Sequence, residues 1–148
     1  MTKIGDGGYG GDISAAEAYE ILKKIKDAIL VDVRTKAEWT FVGAPDLSAL
    51  NKEPVFIEWQ EYPSMQVNPQ FGEKVHAAIS DRGGNASTPL LFLCRSGARS
   101  QAAAIAMTAA GQLECLNIAG GFEGGHDATR RRGAVHGWKA GGLPWAQS

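Results

Sequence analysis

Cys94 heads the segment Cys94-Arg95-Ser96-Gly97-Ala98-Arg99-Ser100, directly after the apolar run Leu90-Leu91-Phe92-Leu93. Ser96, Gly97 and Ala98 are small enough for a tight curl. The main-chain N–H groups of residues 95–100 can then converge on one point and form a nest for an anion. An Ala-rich helix behind the loop would add the positive end of its dipole. A sulfur placed at the start of such a loop is favoured as thiolate, the nucleophilic form, and needs no separate general base. Arg95 and Arg99 add two positive charges that suit an anionic donor. The alternative, an inert thiol at a strand end, fits poorly with two arginines and a glycine within five residues of Cys94. Cys115, flanked by Leu113, Leu116 and Ile118 with no adjacent Lys or Arg, reads instead as a core cysteine.

Other groups that can do chemistry are weaker. His126 and His136 have no companion Cys or carboxylate at metal-ligand spacing, so no metal site is expected. His76 lies on a helix beside its apolar face. Arg130-Arg131-Arg132 reads as a solvated turn, or as a contact for an anionic donor or protein. Gly5, Gly7 and Gly10 match G-x-G-x-x-G. No strand precedes them and no helix opens at Gly10, so the dinucleotide reading fails its context.

The elements that must position Cys94 follow from pattern. Ser14 and Glu17 form a capping box, and Ala18, Ile21, Leu22 and Ile25 recur at helical spacing. Residues 28–33 form an apolar run ending in Asp32 and Val33, as expected of a strand buried on both faces. Thr35 and Glu38 make a second capping box. Residues 43–53 read as loop, and residues 55–59 as a strand ending at Glu58 and Trp59. Asn68-Pro69 reads as the opening of a helix to residue 81, with Asn68 as cap. Strand 90–93, a helix over 98–110 ended by Gly111, and strand 115–118 follow. Gly120 to Gly125 can open a last short helix, and the Gly- and Trp-rich tail wraps the surface. This alternation predicts a doubly wound α/β domain with a mainly parallel sheet of about five strands flanked by helices. Ligands of such sheets bind at the carboxyl ends of the strands, where Asp32, Cys94 and Glu58-Trp59 all fall.

The chain has 148 residues and a net charge of -1. One domain over 12–148 is expected, after a flexible Gly-rich leader over 1–11. No basic stripe marks a nucleic-acid partner, and no apolar run is long enough for a membrane span. Two cysteines make no disulfide framework. The absence of a signal-peptide pattern leads to a cytoplasmic expectation.

The loop at Cys94 resembles the active-site loop of the rhodanese family, commonly Cys-x-x-Gly-x-Arg. Leu30-Val31-Asp32-Val33-Arg34 with Glu38-Trp39 resembles the family's Asp-Val-Arg segment and the Glu-aromatic pair after it. Asn117-Ile118-Ala119-Gly120-Gly121 and Trp138-Lys139-Ala140-Gly141-Gly142-Leu143-Pro144-Trp145 resemble its closing segments. The resemblance runs over residues 12–145. It departs at Phe41-Val42-Gly43-Ala44-Pro45-Asp46, where many relatives carry Gly-His-Ile-Pro-Gly-Ala. Residues 45–69 are therefore where substrate choice is least defined.

The resemblance implies a sulfur relay. Cys94 takes sulfane sulfur from a small anionic donor such as thiosulfate, with residues 95–100 (Arg95, Ser96, Gly97, Ala98, Arg99 and Ser100) binding donor and persulfide. Cyanide, a thiol or a protein acceptor removes it, and no cofactor or metal is needed. Asp32 and Arg34 are expected as support: Asp32 capping local backbone, with Arg34 paired to a carboxylate such as Glu38, or Asp32 orienting Arg99 beneath the loop. Two other readings stand beside it. One is a non-catalytic or persulfide-carrying module serving a protein partner. The other is a Cys-dependent phosphatase or arsenate reductase, whose loop spaces Cys and Arg more widely than the four residues between Cys94 and Arg99.

Overall fold

The computed structural model describes residues 7–61, 64, 66–124 and 137–147. In chain order the elements are β1 (Asp12–Ile13), α1 (Ala15–Lys24), β2 (Ile29–Asp32), α2 (Lys36–Phe41), β3 (Ala44–Pro45), a 3-10 turn (Ser48–Leu50), β4 (Val55–Phe56), β5 (Gln60–Glu61), β6 (Gln66–Val67), α3 (Phe71–Asp81), β7 (Leu90–Leu93), α4 (Ala98–Ala109), β8 (Cys115–Ile118) and β9 (Trp145–Ala146). Five strands form a parallel sheet in the order β1-β8-β7-β2-β4. The expected doubly wound α/β architecture is present. Two antiparallel pairs, β3 with β9 and β5 with β6, lie outside that sheet.

Alternate residues of the central strands face opposite layers. Ile29, Val31, Val33, Leu90 and Phe92 pack with Phe71, Val75 and Ile79 of α3 and Ala103, Ala104 and Met107 of α4. Leu30, Leu91 and Leu93 pack with Ala15, Ala18 and Leu22 of α1, and with Phe122 and Trp138. All four residues of β7 are fully buried. Each such side chain contributes about 1.5–3 kcal/mol, which makes this strand the rigid floor under whatever follows it.

From β2 the chain moves outward to β4, then returns to lay β7 on the other side of β2 and β8 beyond it. The switch point lies between β2 and β7, at whose carboxyl ends a crevice must open. Asp32 pairs in register with Leu93 there, so Val33 and Cys94 emerge side by side and Arg34 follows one step on.

Both capping boxes are realised. Ser14 caps α1 and Thr35 caps α2, each with reciprocal bonds to Glu17 and Glu38. Several local expectations are corrected. Asn68 does not cap α3: its Oδ1 accepts from the N–H of Gln70, one turn ahead of the helix, and α3 begins at Phe71. Residues 121–123 form turns instead of a helix, because their N–H groups bond back to the strand end and the Cys94 loop. The loop over 43–53 contains β3, held by the tail strand β9, and a 3-10 turn. Of the leader, residues 1–6 lie outside the described residues. Tyr9 is built into the domain: its ring is buried and its hydroxyl donates to Asp12 Oδ1 at 2.7 Å. Gly10 N–H bonds Cys115 O. Among the described residues no helix is long and apolar enough to cross a membrane.

Candidate active site

Cys94 directly follows β7 on the face covered by α4, and its residue is 1% exposed. Its sulfur points toward the loop it begins. The N–H of Gly97 donates to Sγ at 3.0 Å and Ser100 Oγ lies 3.2 Å away. Gly97 makes this possible with φ of 115°, a left-handed conformation that reverses the chain into α4. Ala98 and Ser96 lie exposed at the rim, while Ser100 is fully buried beneath the sulfur.

The outer side of the loop is pinned by the segment after β8. Phe122 N–H donates to Cys94 O at 2.8 Å, and the N–H groups of Glu123 and Gly124 donate to Arg95 O. Arg95 Nε sits 3.2 Å from Glu123 Oε2, with about half of its side chain in solvent. The loop is thus held through the carbonyls of Cys94 and Arg95, and of its N–H groups that of Gly97 is the one that donates to the sulfur.

The two arginines differ. Arg99 is clamped by Glu38 in a two-pronged pair, Nη1 to Oε1 at 2.7 Å and Nη2 to Oε2 at 2.9 Å. It lies within electrostatic reach of Cys94. Glu38 therefore serves α2 as capping-box acid and the loop as anchor. Burial pushes the Glu38 carboxyl up, but the Arg99 guanidinium and the Thr35 N–H outweigh it and hold it below its ordinary 4.5. A depressed folded value stabilises above the unfolded value and is lost as pH falls through the folded one. Glu38→Gln keeps the capping box while removing the charge. Its urea midpoint is expected to fall less steeply than wild type between about pH 5 and pH 3. Parallel pH curves for the two proteins would refute the anchor.

The expected partners of Arg34 and Asp32 are corrected. Arg34 does not reach Glu38, whose oxygens are taken by Arg99 and Thr35. It pairs with Asp32, Nη2 to Oδ2 at 2.7 Å and Nε to Oδ1 at 3.0 Å, both residues fully buried. Asp32 Oδ1 also accepts from the Arg34 N–H, the local capping that was expected. The Arg34 guanidinium donates to Gly43 O and lies 4.2 Å over the Phe122 ring. Phe122 in turn bonds the Cys94 carbonyl, so the pair supports the loop from below. Asp32 is not the residue that orients Arg99.

Among the other sites considered, Cys115 is buried and its thiol is pushed up to about 11 by burial, as befits a core cysteine. His76 is exposed on α3. Trp59 packs edge-on against Phe71 at 5.0 Å. Glu58 Oε2 accepts the Lys36 N–H. His126, His136 and Arg130-Arg132 lie outside the described residues. No cluster of potential metal ligands occurs among the described residues. Asn117 was missed by sequence reasoning: its Oδ1 meets Ser100 Oγ beneath the sulfur. A polar residue inside the otherwise apolar strand Cys115-Leu116-Asn117-Ile118 is the signal that could have found it.

A family model described as the STR4 middle domain matches residues 10–148. An uncharacterised protein of Rickettsia rickettsii is 38% identical over 134 residues, covering 90% of this chain and 95% of its own. The crystal structure of Rv0390 from M. tuberculosis is 46% identical, with a TM-score of 0.84 over 95% of this chain and 99% of that one. A polysulfide-sulfur transferase homodimer from Wolinella succinogenes shares the fold at 20% identity, with a TM-score of 0.57 over 93% and 78% of the two chains. A rhodanese-like domain protein from Staphylococcus aureus is 19% identical, with a TM-score of 0.48 over 75% and 86%.

Proposed function

The chain belongs to the STR4 middle domain family and has a rhodanese-like fold, and from that premise we propose that it is a sulfurtransferase carrying sulfane sulfur as a persulfide on Cys94. The observation that carries this reading is the Gly97 N–H aimed at Sγ at 3.0 Å from the head of α4. A main-chain donor in a fixed loop stabilises charge on a sulfur without reorganising when the reaction occurs.

The Cys94 thiolate attacks the outer sulfur of a donor such as thiosulfate. A bond forms from Sγ to that sulfur, the donor's S–S bond breaks, and sulfite departs with the electron pair. An acceptor, cyanide or a thiol, then attacks the outer sulfur, and Cys94 leaves as thiolate. Good leaving groups help both steps. Arg95, with Ser96 and Ala98 at the exposed rim, meets the anionic donor. Arg99, already neutralised by Glu38, fixes the loop; Gly97 and Ser100 face the sulfur. The spacing of Cys94 and Arg99 suits a single sulfur better than a tetrahedral phosphate.

Thiosulfate treatment followed by intact mass tests the reading. Wild type is expected to gain one sulfur and Cys94→Ser none. No gain on wild type, or an equal gain on both, refutes it. Thiocyanate on adding cyanide identifies a general sulfurtransferase. Loading without transfer to cyanide identifies a carrier dedicated to a protein acceptor.

A further inference from the structure

Beneath the sulfur runs a chain of polar side chains that, Ser100 apart, the relay above does not use. Gln101 Nε2 donates to Tyr9 Oη at 2.9 Å, and Tyr9 Oη donates to Asp12 Oδ1 at 2.7 Å. Asn117 Nδ2 donates to the same oxygen at 3.0 Å, across the register pair Asp12–Asn117 of β1 and β8. A carboxylate only accepts, so Asp12 settles which way the Asn117 amide faces: nitrogen to Asp12, oxygen to Ser100. Ser100 Oγ has one proton and three acceptors within reach: Asn117 Oδ1 at 2.5 Å, Gly97 O at 3.1 Å and Cys94 Sγ at 3.2 Å. Beside a neutral thiol that proton goes to Asn117 Oδ1, because a thiol sulfur is a weak acceptor and Gly97 O already accepts the Gln101 N–H. The hydroxyl then presents a lone pair to the sulfur and can accept from a thiol S–H, while a thiolate must draw the hydroxyl away from Asn117.

We propose that Asn117 is a positioning residue: pinned by Asp12, it holds the Ser100 hydroxyl as an acceptor toward Cys94 and so restrains the sulfur from its ionised form. Ser100 and Asn117 are both buried away from bulk water, which gives the competition its weight. Gly97 is the constant donor to the sulfur and Ser100 the switchable one.

The inference deepens the reading of Cys94 as a nucleophile, but its readout is separate from sulfur transfer. Iodoacetamide alkylation of Cys94 is followed at one neutral pH, with the adduct located by peptide mass. Asn117→Leu releases the hydroxyl to the sulfur and is expected to alkylate about tenfold faster than wild type. Ser100→Ala loses both the restraining acceptor and the donor that would replace it and is expected to alkylate more slowly than Asn117→Leu, and adding Asn117→Leu to it changes nothing, since the effect passes through that hydroxyl. Asp12→Asn, at an exposed position of β1, unpins the amide and is expected to accelerate less; it carries the same test should Asn117→Leu not fold. A merely structural role slows the reaction or acts with Ser100 absent. A rate at or below wild type in a folded variant, or an acceleration that survives in Ser100→Ala, overturns the proposal. An intact cycle in a protein that takes no sulfur from thiosulfate sinks the sulfur-transfer reading alone.

Discussion

Asp32→Ala is expected to lower folding stability by about 3–5 kcal/mol, the cost of leaving a buried charge without its partner. The guanidinium of Arg34 would remain fully buried with only Gly43 O and the Phe122 face to meet it. Its Nη1 already has no hydrogen-bond partner within the structure, so the site has no spare acceptor to offer. Against a total of about 5–15 kcal/mol for a domain, that loss brings the protein near unfolding. Asp32→Asn keeps an acceptor for the Arg34 N–H and is expected to cost less. Adding Arg34→Met to Asp32→Ala removes the stranded charge, fills the volume and restores part of the loss. Urea unfolding of the four proteins checks the order. A role for Asp32 in orienting Arg99 would give the reverse pattern, with sulfur loading lost and the midpoint of Asp32→Ala kept near wild type. That outcome would overturn the assignment of this pair to support.

Which of these contacts could be read in advance depends on their range. The capping boxes at Ser14 and Thr35 are local and appear as the pattern indicates, because each needs only residues three apart. The buried strands were legible from apolar runs too short for helices. The loop at Cys94 was legible because its small and basic residues make little sense around a core thiol. The pairing of Arg34 was not. A carboxylate four residues on in a helix is the usual partner, but Glu38 is the acid of its own cap and receives Arg99 from the first turn of α4, 61 positions away. Asp32, two residues before Arg34, is left to accept it.

Two-residue strands escaped for a different reason. β1, β3 and β9 are too short to show alternation, and each exists because a distant segment offers it backbone bonds. Asn68 shows the limit of a cap signal: its side chain bonds forward by two residues, making a turn that the helix then follows. Tyr9 was hidden by its Gly-rich surroundings, which suggest a loose leader, whereas its ring fills the α4 face of the core and its hydroxyl reaches Gln101.

Gly97→Ala carries the second large expected effect, and it follows from a contact that no local pattern encodes. A Cβ on Gly97 would clash with Ala119 O and stand 3.2 Å from its carbonyl carbon, both backbone atoms directly after β8. Ala119 cannot yield, because its own N–H is bonded to Ile13 O. The residue would also be held at a φ of 115°, which costs a residue with a side chain about 1–3 kcal/mol. The loop must therefore lift from β8, and the Gly97 N–H moves off the sulfur it faces. Gly111→Ala separates the two costs. That glycine has φ of 103° but open space where a Cβ would go, so it pays the backbone strain alone and lies at the far end of α4 from Cys94. Gly97→Ala is expected to lose about 2–4 kcal/mol of stability and to load sulfur from thiosulfate at least about a hundredfold more slowly. Gly111→Ala is expected to lose less stability and to load at the wild-type rate. If Gly97→Ala, folded, takes up sulfur as fast as Gly111→Ala does, the main-chain amide over Cys94 is not what makes its sulfur reactive.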